Sequence, residues 1–125
     1  MTSWTDDELD RIGRADELIV SGTKPDGSLR RGVIIWAVRV DDSVYLRSVR
    51  GPDASWFRGT QLAGIGSIEA GGVTKDVTFV RVDDLNDEID TAYRAKYGSG
   101  SAVRSITSDL AASTTLRVDV REGSK

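Results

Sequence analysis

The chain has 125 residues, 30% of them charged and 38% hydrophobic, with a net charge of -3, no histidine and no cysteine. A length of this order accommodates one ordinary domain, and the composition is that of a globular rather than a disordered chain. Without these two residue types there can be no Ser-His-Asp triad, no imidazole or thiolate metal site, no disulfide and no cysteine nucleophile, and the acidic balance argues against nucleic-acid binding, which needs a basic face.

The first element is signalled by Thr5-Asp6-Asp7-Glu8, a capping box in which the threonine accepts from the Glu8 N-H and the glutamate reaches back to the Thr5 N-H. Trp4 and Leu9 take the staple positions, and Leu9 with Ile12 gives the helix an apolar stripe to about Arg14. No apolar run approaches the roughly 20 residues needed to span a bilayer, and MTSWTDDELD is acidic where a signal peptide is basic and then apolar. A cytoplasmic protein with no membrane partner is expected.

Glu17 to Ser21 reads as a strand leading into a turn at Lys24-Pro25-Asp26-Gly27. Val33 to Val40 (VIIWAVRV) and Val44 to Arg50 (VYLRSVR) form a hairpin around Asp41, Asp42 and Ser43. Matching polar with polar and apolar with apolar sets Val40 against Val44, Val38 against Leu46 and Trp36 against Ser48. The other face then pairs Arg39 with Tyr45 and Ala37 with Arg47.

Ala54 to Ala63 has room for a helical turn or two, and Ser67 to Val82 is a second hairpin turning at Gly71-Gly72. That glycine pair lacks the strand-glycines-helix context of a phosphate loop. Asp84 is expected to cap a helix whose Leu85, Ile89, Ala92 and Tyr93 share one face, with Gly98 as its stop and GSGS (Gly98 to Ser101) as a loop. Thr114 to Arg121 alternates as a strand with one wet face. The pattern is mainly β: an antiparallel sheet or barrel with peripheral helices.

Charge is unevenly placed. Lys24 to Arg58 holds seven basic and four acidic residues, a local +3 that leaves -6 for the remainder. Six of the seven are arginine, whose planar fork suits carboxylate or phosphate, and the stretch RSVRGPDASWFRG (Arg47 to Gly59) concentrates three of them beside a tryptophan. On the expected register Arg39 and Arg47 are diagonal neighbours, either an anion seat or two arginines in water or paired with Glu69 or another carboxylate. Ser48 and Arg50 lie on the other face near Trp36. Trp56 and Arg58 either hold a flat anion or make a cation-π contact that anchors the loop. The acidic groups Asp6-Asp7, Asp41-Asp42 and Asp83-Asp84-Asp87 suit helix starts and a turn, with no calcium-loop spacing, so no metal site is expected.

Several segments together resemble one family, domain of unknown function 2255: Trp4 with the following Asp-Glu-Leu, IWAVRV (Ile35 to Val40), VYLRSVRG (Val44 to Gly51), WFRG (Trp56 to Gly59), IEAGGVTKDVTF (Ile68 to Phe79), LNDEIDTAYRAKYG (Leu85 to Gly98) and STTLRV (Ser113 to Val118). The family in turn resembles the flavin-binding split barrels, among them pyridoxamine phosphate oxidases and deazaflavin-dependent nitroreductases. That resemblance implies a single split-barrel domain over residues 1 to 125, a homodimer, and a small planar anionic ligand such as FMN or a deazaflavin. Carried over residue by residue, it makes Arg47, Ser48 and Arg50 phosphate contacts and puts Trp56 and Arg58 at the rim. Phe57 stands where tyrosine is usual, and Ser99 to Ser108 departs from the family's more aromatic and proline-containing pattern.

The functional expectation is a small-molecule-binding split barrel, in one form a flavin- or deazaflavin-dependent oxidoreductase. The alternative is a barrel with no cofactor, either a ligand-binding protein or an isomerase, cyclase or lyase using Tyr45, Glu69 or an arginine. Trp36, Arg39, Tyr45 and Glu69 are the secondary pocket candidates, and no residue is assigned as catalytic.

Overall fold

The computed structural model describes residues 4–121. Helix α1 (Asp6–Arg14) opens with the capping box, Thr5 accepting from Glu8 N-H at 3.1 Å and Glu8 accepting from Thr5 N-H at 2.9 Å. Leu9 and Ile12 are buried, and the Trp4 indole N-H donates to the Val118 carbonyl at 3.0 Å, tying the helix entry to the sheet.

Seven strands follow: β1 (Leu18–Gly22), β2 (Val33–Ile35), β3 (Ala37–Val40), β4 (Ser43–Leu46), β5 (Ile65–Ala70), β6 (Val73–Arg81) and β7 (Leu116–Val120). All pair antiparallel in the order β2-β1-β5-β6-β7-β4-β3. The two strands at the ends of that order are neighbours in the chain, separated by Trp36 alone. One continuous segment therefore bridges both edges, and the sheet becomes a nearly closed barrel whose edges are largely removed. The helices α2 (Ser55–Ala63), α3 (Asn86–Tyr97), α4 (Ser101–Ile106) and α5 (Asp109–Ala112) sit around it.

Alternation along the strands separates two apolar clusters. Leu18, Val20, Val44, Leu46, Ile68, Val77, Phe79, Leu116 and Val118 point inward with Leu9, Ile12 and Phe57. Val38 and Tyr45 point outward onto Ile89 and Tyr93 of α3 and Val103 and Ile106 of α4. Each such side chain contributes about 1.5–3 kcal/mol when fully buried. The barrel closes tightly at Gly66, where a Cβ would stand 2.0 Å from the Ser21 carbonyl oxygen.

The first hairpin differs from expectation. Ala37 pairs with Leu46, Val38 with Tyr45, Arg39 with Val44 and Val40 with Ser43. The register is one residue away from the one that matched polar with polar, because the connection is the two-residue turn Asp41-Asp42, with Asp41 at a φ of 52°. Tyr45 behaves as an apolar residue here, since α3 covers the outer face and the face-matching argument assumed that face was wet. Arg39 and Arg47 consequently project on opposite sides of the sheet.

Other boundaries also shift. The apolar run from Val33 to Val40 is two strands rather than one, broken at Trp36, where its hydrogen-bonding passes from β1 to β4. Asp84 does not cap α3; Leu85 holds the N-cap position with no side-chain bond, and Asn86 begins the helix. Ser101, expected in a loop, starts α4, and Ser108 caps α5 by accepting from the Ala111 N-H at 3.2 Å. The second hairpin at Gly71-Gly72 and the helix stop at Gly98 stand as read from sequence.

Candidate ligand-binding cleft

A cleft of about 600 Å³ opens where β2 gives way to β3. Val33 to Trp36 form one wall, Arg47 to Arg50 the floor, Ala54 to Trp56 the opposite wall, and Ala102, Ser105 and Ile106 of α4 the far end. Its volume lies in the usual range for small-molecule sites, and its lining is mostly apolar with a few polar groups.

Trp36 stacks on Tyr97 with ring centroids 4.0 Å apart and planes 5° apart, which holds the indole at the break between strands. Across the cleft Trp56 stands edge-on to Phe57 at 6.0 Å. The first turn of α2 lines the cleft and has no side-chain cap, which leaves its first backbone N-H groups without an intrahelical partner.

Arg47 is fully buried, and all five of its N-H donors are taken. Nε donates to Thr115 Oγ1 at 3.0 Å; one terminal nitrogen donates to Asp90 and to the Ile106 carbonyl at 3.2 Å; the other donates to the Asn86 carbonyl at 3.2 Å and Asn86 Oδ1 at 3.1 Å. The guanidinium also lies 5.7 Å from the Tyr93 ring centre. It joins β4, α3, α4 and the approach to β7, and contacts a ligand only by giving up one of these bonds.

Ser48 is the converse case. Its backbone N-H donates to Thr114 Oγ1 at 2.8 Å, but its buried Oγ has no hydrogen-bond partner among the described residues. Leaving a buried hydroxyl unpaired costs on the order of 1–3 kcal/mol, which a bound ligand at this cleft would relieve. Arg50 is exposed at the rim and forms no ion pair among the described residues.

The remaining candidates do not converge here. Arg58 is exposed outside the lining, and the cation-π contacts run instead from Arg81 to Phe57 at 5.5 Å and from Lys96 to Tyr97 at 5.0 Å. Tyr45 is buried beneath α3, and Glu69 is exposed on β5 opposite Ile19 and Thr74. Arg39 pairs with Asp10 at 3.1 Å and lines a second cleft of about 390 Å³ with Gly13, Arg14, Ala92 and Lys96. Burial holds the Lys96 ammonium down to about 8 against an opposing pull from Asp16, and burial pushes the Tyr97 phenol up to about 12 and raises Tyr93 as well.

Ser105 and Ile106 escaped the sequence reading because α4 carries no cap motif. The spacing of Val103 and Ile106, both buried, was the one available signal. Among the described residues no group of three or more acidic side chains is placed to hold a metal, and no helix is long and apolar enough to cross a membrane.

Residues 8–118 match the family described as an uncharacterized protein conserved in bacteria, DUF2255. The chain belongs to that family. No curated protein matches it. Among solved structures it is similar to HutZ, the heme storage protein from Vibrio cholerae, at 11% identity and a TM-score of 0.69, covering 99% of this chain and 94% of that one. It is also similar to an F420 reductase, at 9% identity and a TM-score of 0.59 over 90% of each chain. A third is an FAD-binding protein from Mesorhizobium loti, at 13% identity and a TM-score of 0.53, over 97% of this chain and 93% of that one. At these identities the likeness is one of fold, and this DUF2255 chain shares the split-barrel architecture of those structures.

Proposed function

We propose that this DUF2255 protein binds a small planar anion in the cleft between Trp36 and Trp56, with FMN or a deazaflavin as the leading class. The observation that carries the reading is the unpartnered Ser48 hydroxyl in a cleft of about 600 Å³, beside the uncapped first turn of α2. Ser48 and the α2 N-H groups would receive the acidic group, Arg50 would approach it from the rim, and the two indoles would flank the flat body. Arg47 serves as the strut beneath this floor. A bound flavin or deazaflavin would supply hydride chemistry, which amino-acid side chains do not provide. The printed names of the F420 reductase and the FAD-binding protein support this choice of ligand class.

The full commitment of Arg47 to protein acceptors favours a second reading, a cofactor-free barrel that binds a less highly charged ligand. A homodimer fits either, since the apolar side chains of Ile34 and Val49, 60% and 50% exposed, line the cleft where a second copy would cover them. Light scattering of the purified protein checks the dimer.

The visible spectrum of freshly purified protein and thermal melting with FMN, riboflavin and a deazaflavin separate the two readings. Stabilisation by FMN that weakens in Ser48→Ala supports the first. A colourless protein stabilised by none of the three overturns it.

A further inference from the structure

The second cleft lies between α1, β3 and α3 and is lined in part by Lys96, whose ammonium donates to the Ala37 carbonyl at 2.6 Å and sits 5.0 Å from the Tyr97 ring centre. The sequence holds four lysines. Lys24 is exposed in a turn, Lys75 pairs with Glu8 at 3.2 Å, and Lys125 is outside the described residues. Lys96 is half-buried and forms no ion pair among the described residues.

Arg14, Arg39 and Asp10 share the cleft lining with it, and of these three only Arg14 has no ion pair among the described residues. Arg14 bonds the Asp10 carbonyl through Nε alone, leaving its terminal nitrogens free among the described residues, while Arg39 is held by Asp10 and the Asp41 carbonyl. The charged or titratable groups around Lys96 are thus Asp10 and Arg14 of α1, Arg39 of β3, Asp16 in the following loop, and Tyr97 beside it. Burial lowers the Lys96 ammonium to about 8, so it offers more neutral amine near neutrality than an ordinary lysine.

We propose that Lys96 is a covalent acyl-acceptor site, and that the cleft admits a small acyl phosphate with its phosphate toward Arg14 and its acyl carbon toward Nζ. The nitrogen lone pair attacks the acyl carbon, the C-N bond forms as the C-O bond breaks, inorganic phosphate leaves with the bonding pair, and the amine proton passes to solvent. The Ala37 carbonyl that Lys96 releases has a replacement donor within reach, since the Tyr97 hydroxyl, which lies 2.9 Å from the Asp16 carbonyl, is also 3.3 Å from that of Ala37 and can turn its single proton to it.

The test is competitive acetylation of the whole protein with acetyl phosphate near neutral pH, read at each lysine by peptide mass spectrometry, in parallel with the uncharged donor phenyl acetate. Lys96 is expected to be acetylated several-fold faster than Lys24 and Lys75, with a rate that levels off above a pH of about 8. Arg14→Gln, on an exposed side chain, should remove the advantage with acetyl phosphate and leave the phenyl acetate rate unchanged. Lys96 labelled no faster than Lys24, or an Arg14→Gln protein that keeps the full acetyl phosphate rate, overturns the proposal.

Discussion

Arg47 and Asp90 form an ion pair in which the arginine side chain is wholly shielded from solvent and the aspartate side chain is 20% exposed. The pair fastens β4 to α3, and α3 in turn covers Val38 and Tyr45. Removing one partner of such a pair leaves a buried charge without compensation, at a cost of about 3–5 kcal/mol. Asp90→Ala is therefore expected to lose about that much stability in urea unfolding, whereas the double replacement Arg47→Met with Asp90→Leu should recover a large part of it. A double variant as unstable as the single one would mean that the remaining acceptors, Asn86, Ile106 and Thr115, matter more than the charge pair.

Lys96 gives stability an alkaline dependence. Its folded pKa of about 8 lies below the ordinary value of 10.5, so the unfolded chain binds more protons between those limits and stability rises with pH from about 8. Above about 10 the rise is opposed by Tyr93 and Tyr97, whose raised pKa values favour the protonated, folded form. Unfolding midpoints measured from neutrality to pH 10 should increase, and Lys96→Met should flatten that increase. A flat wild-type profile would count against a desolvated ammonium.

The capping box makes a separate prediction at the other end of the pH range. Thr5→Ala should cost about 1 kcal/mol by losing the bond from the Glu8 N-H. Glu8 has a lowered pKa, chiefly through the Thr5 backbone N-H, so its contribution is present above its unfolded pKa and fades as pH falls through the folded one. Denaturant melts of wild type and Glu8→Gln should converge as the carboxyl protonates, whereas the Thr5→Ala deficit should persist, because the bond it removes runs from a main-chain N-H to a hydroxyl and does not titrate.

Gly66→Ala should be destabilising by about 1–3 kcal/mol or more, because its added methyl meets the Ser21 main chain rather than a side chain that can turn away. Gly100→Ala, whose Cβ meets nothing within 4 Å, is the control and should melt close to wild type. Equal melting of the two variants would contradict the tight β1-β5 approach.

Several elements were legible because their causes are local. The Thr5 to Glu8 box, the Gly71-Gly72 turn and the Gly98 stop each depend on residues within a few positions of one another. The cleft was legible in part: Ser48, Arg50 and Trp56 share it because a strand end, a 3-10 turn at Gly51–Asp53 and the start of α2 are consecutive in the chain, and Trp36 joins them from the break between β2 and β3. Arg39 and Arg58 fall outside it, the first because a two-residue turn shifts the hairpin register and the second because the turn of α2 carries it to the exposed side.

The sequence by itself determined the strand-rich pattern, the helix starts and stops carried by local caps, and the family to which the chain belongs. Only the tertiary structure decided what each arginine does. Arg47 meets Asp90, 43 positions away, because α3 packs on the outer barrel face, and no local spacing encodes that contact. Side-chain chemistry states which partners a guanidinium accepts; the packing of distant elements determines which of them reach it first.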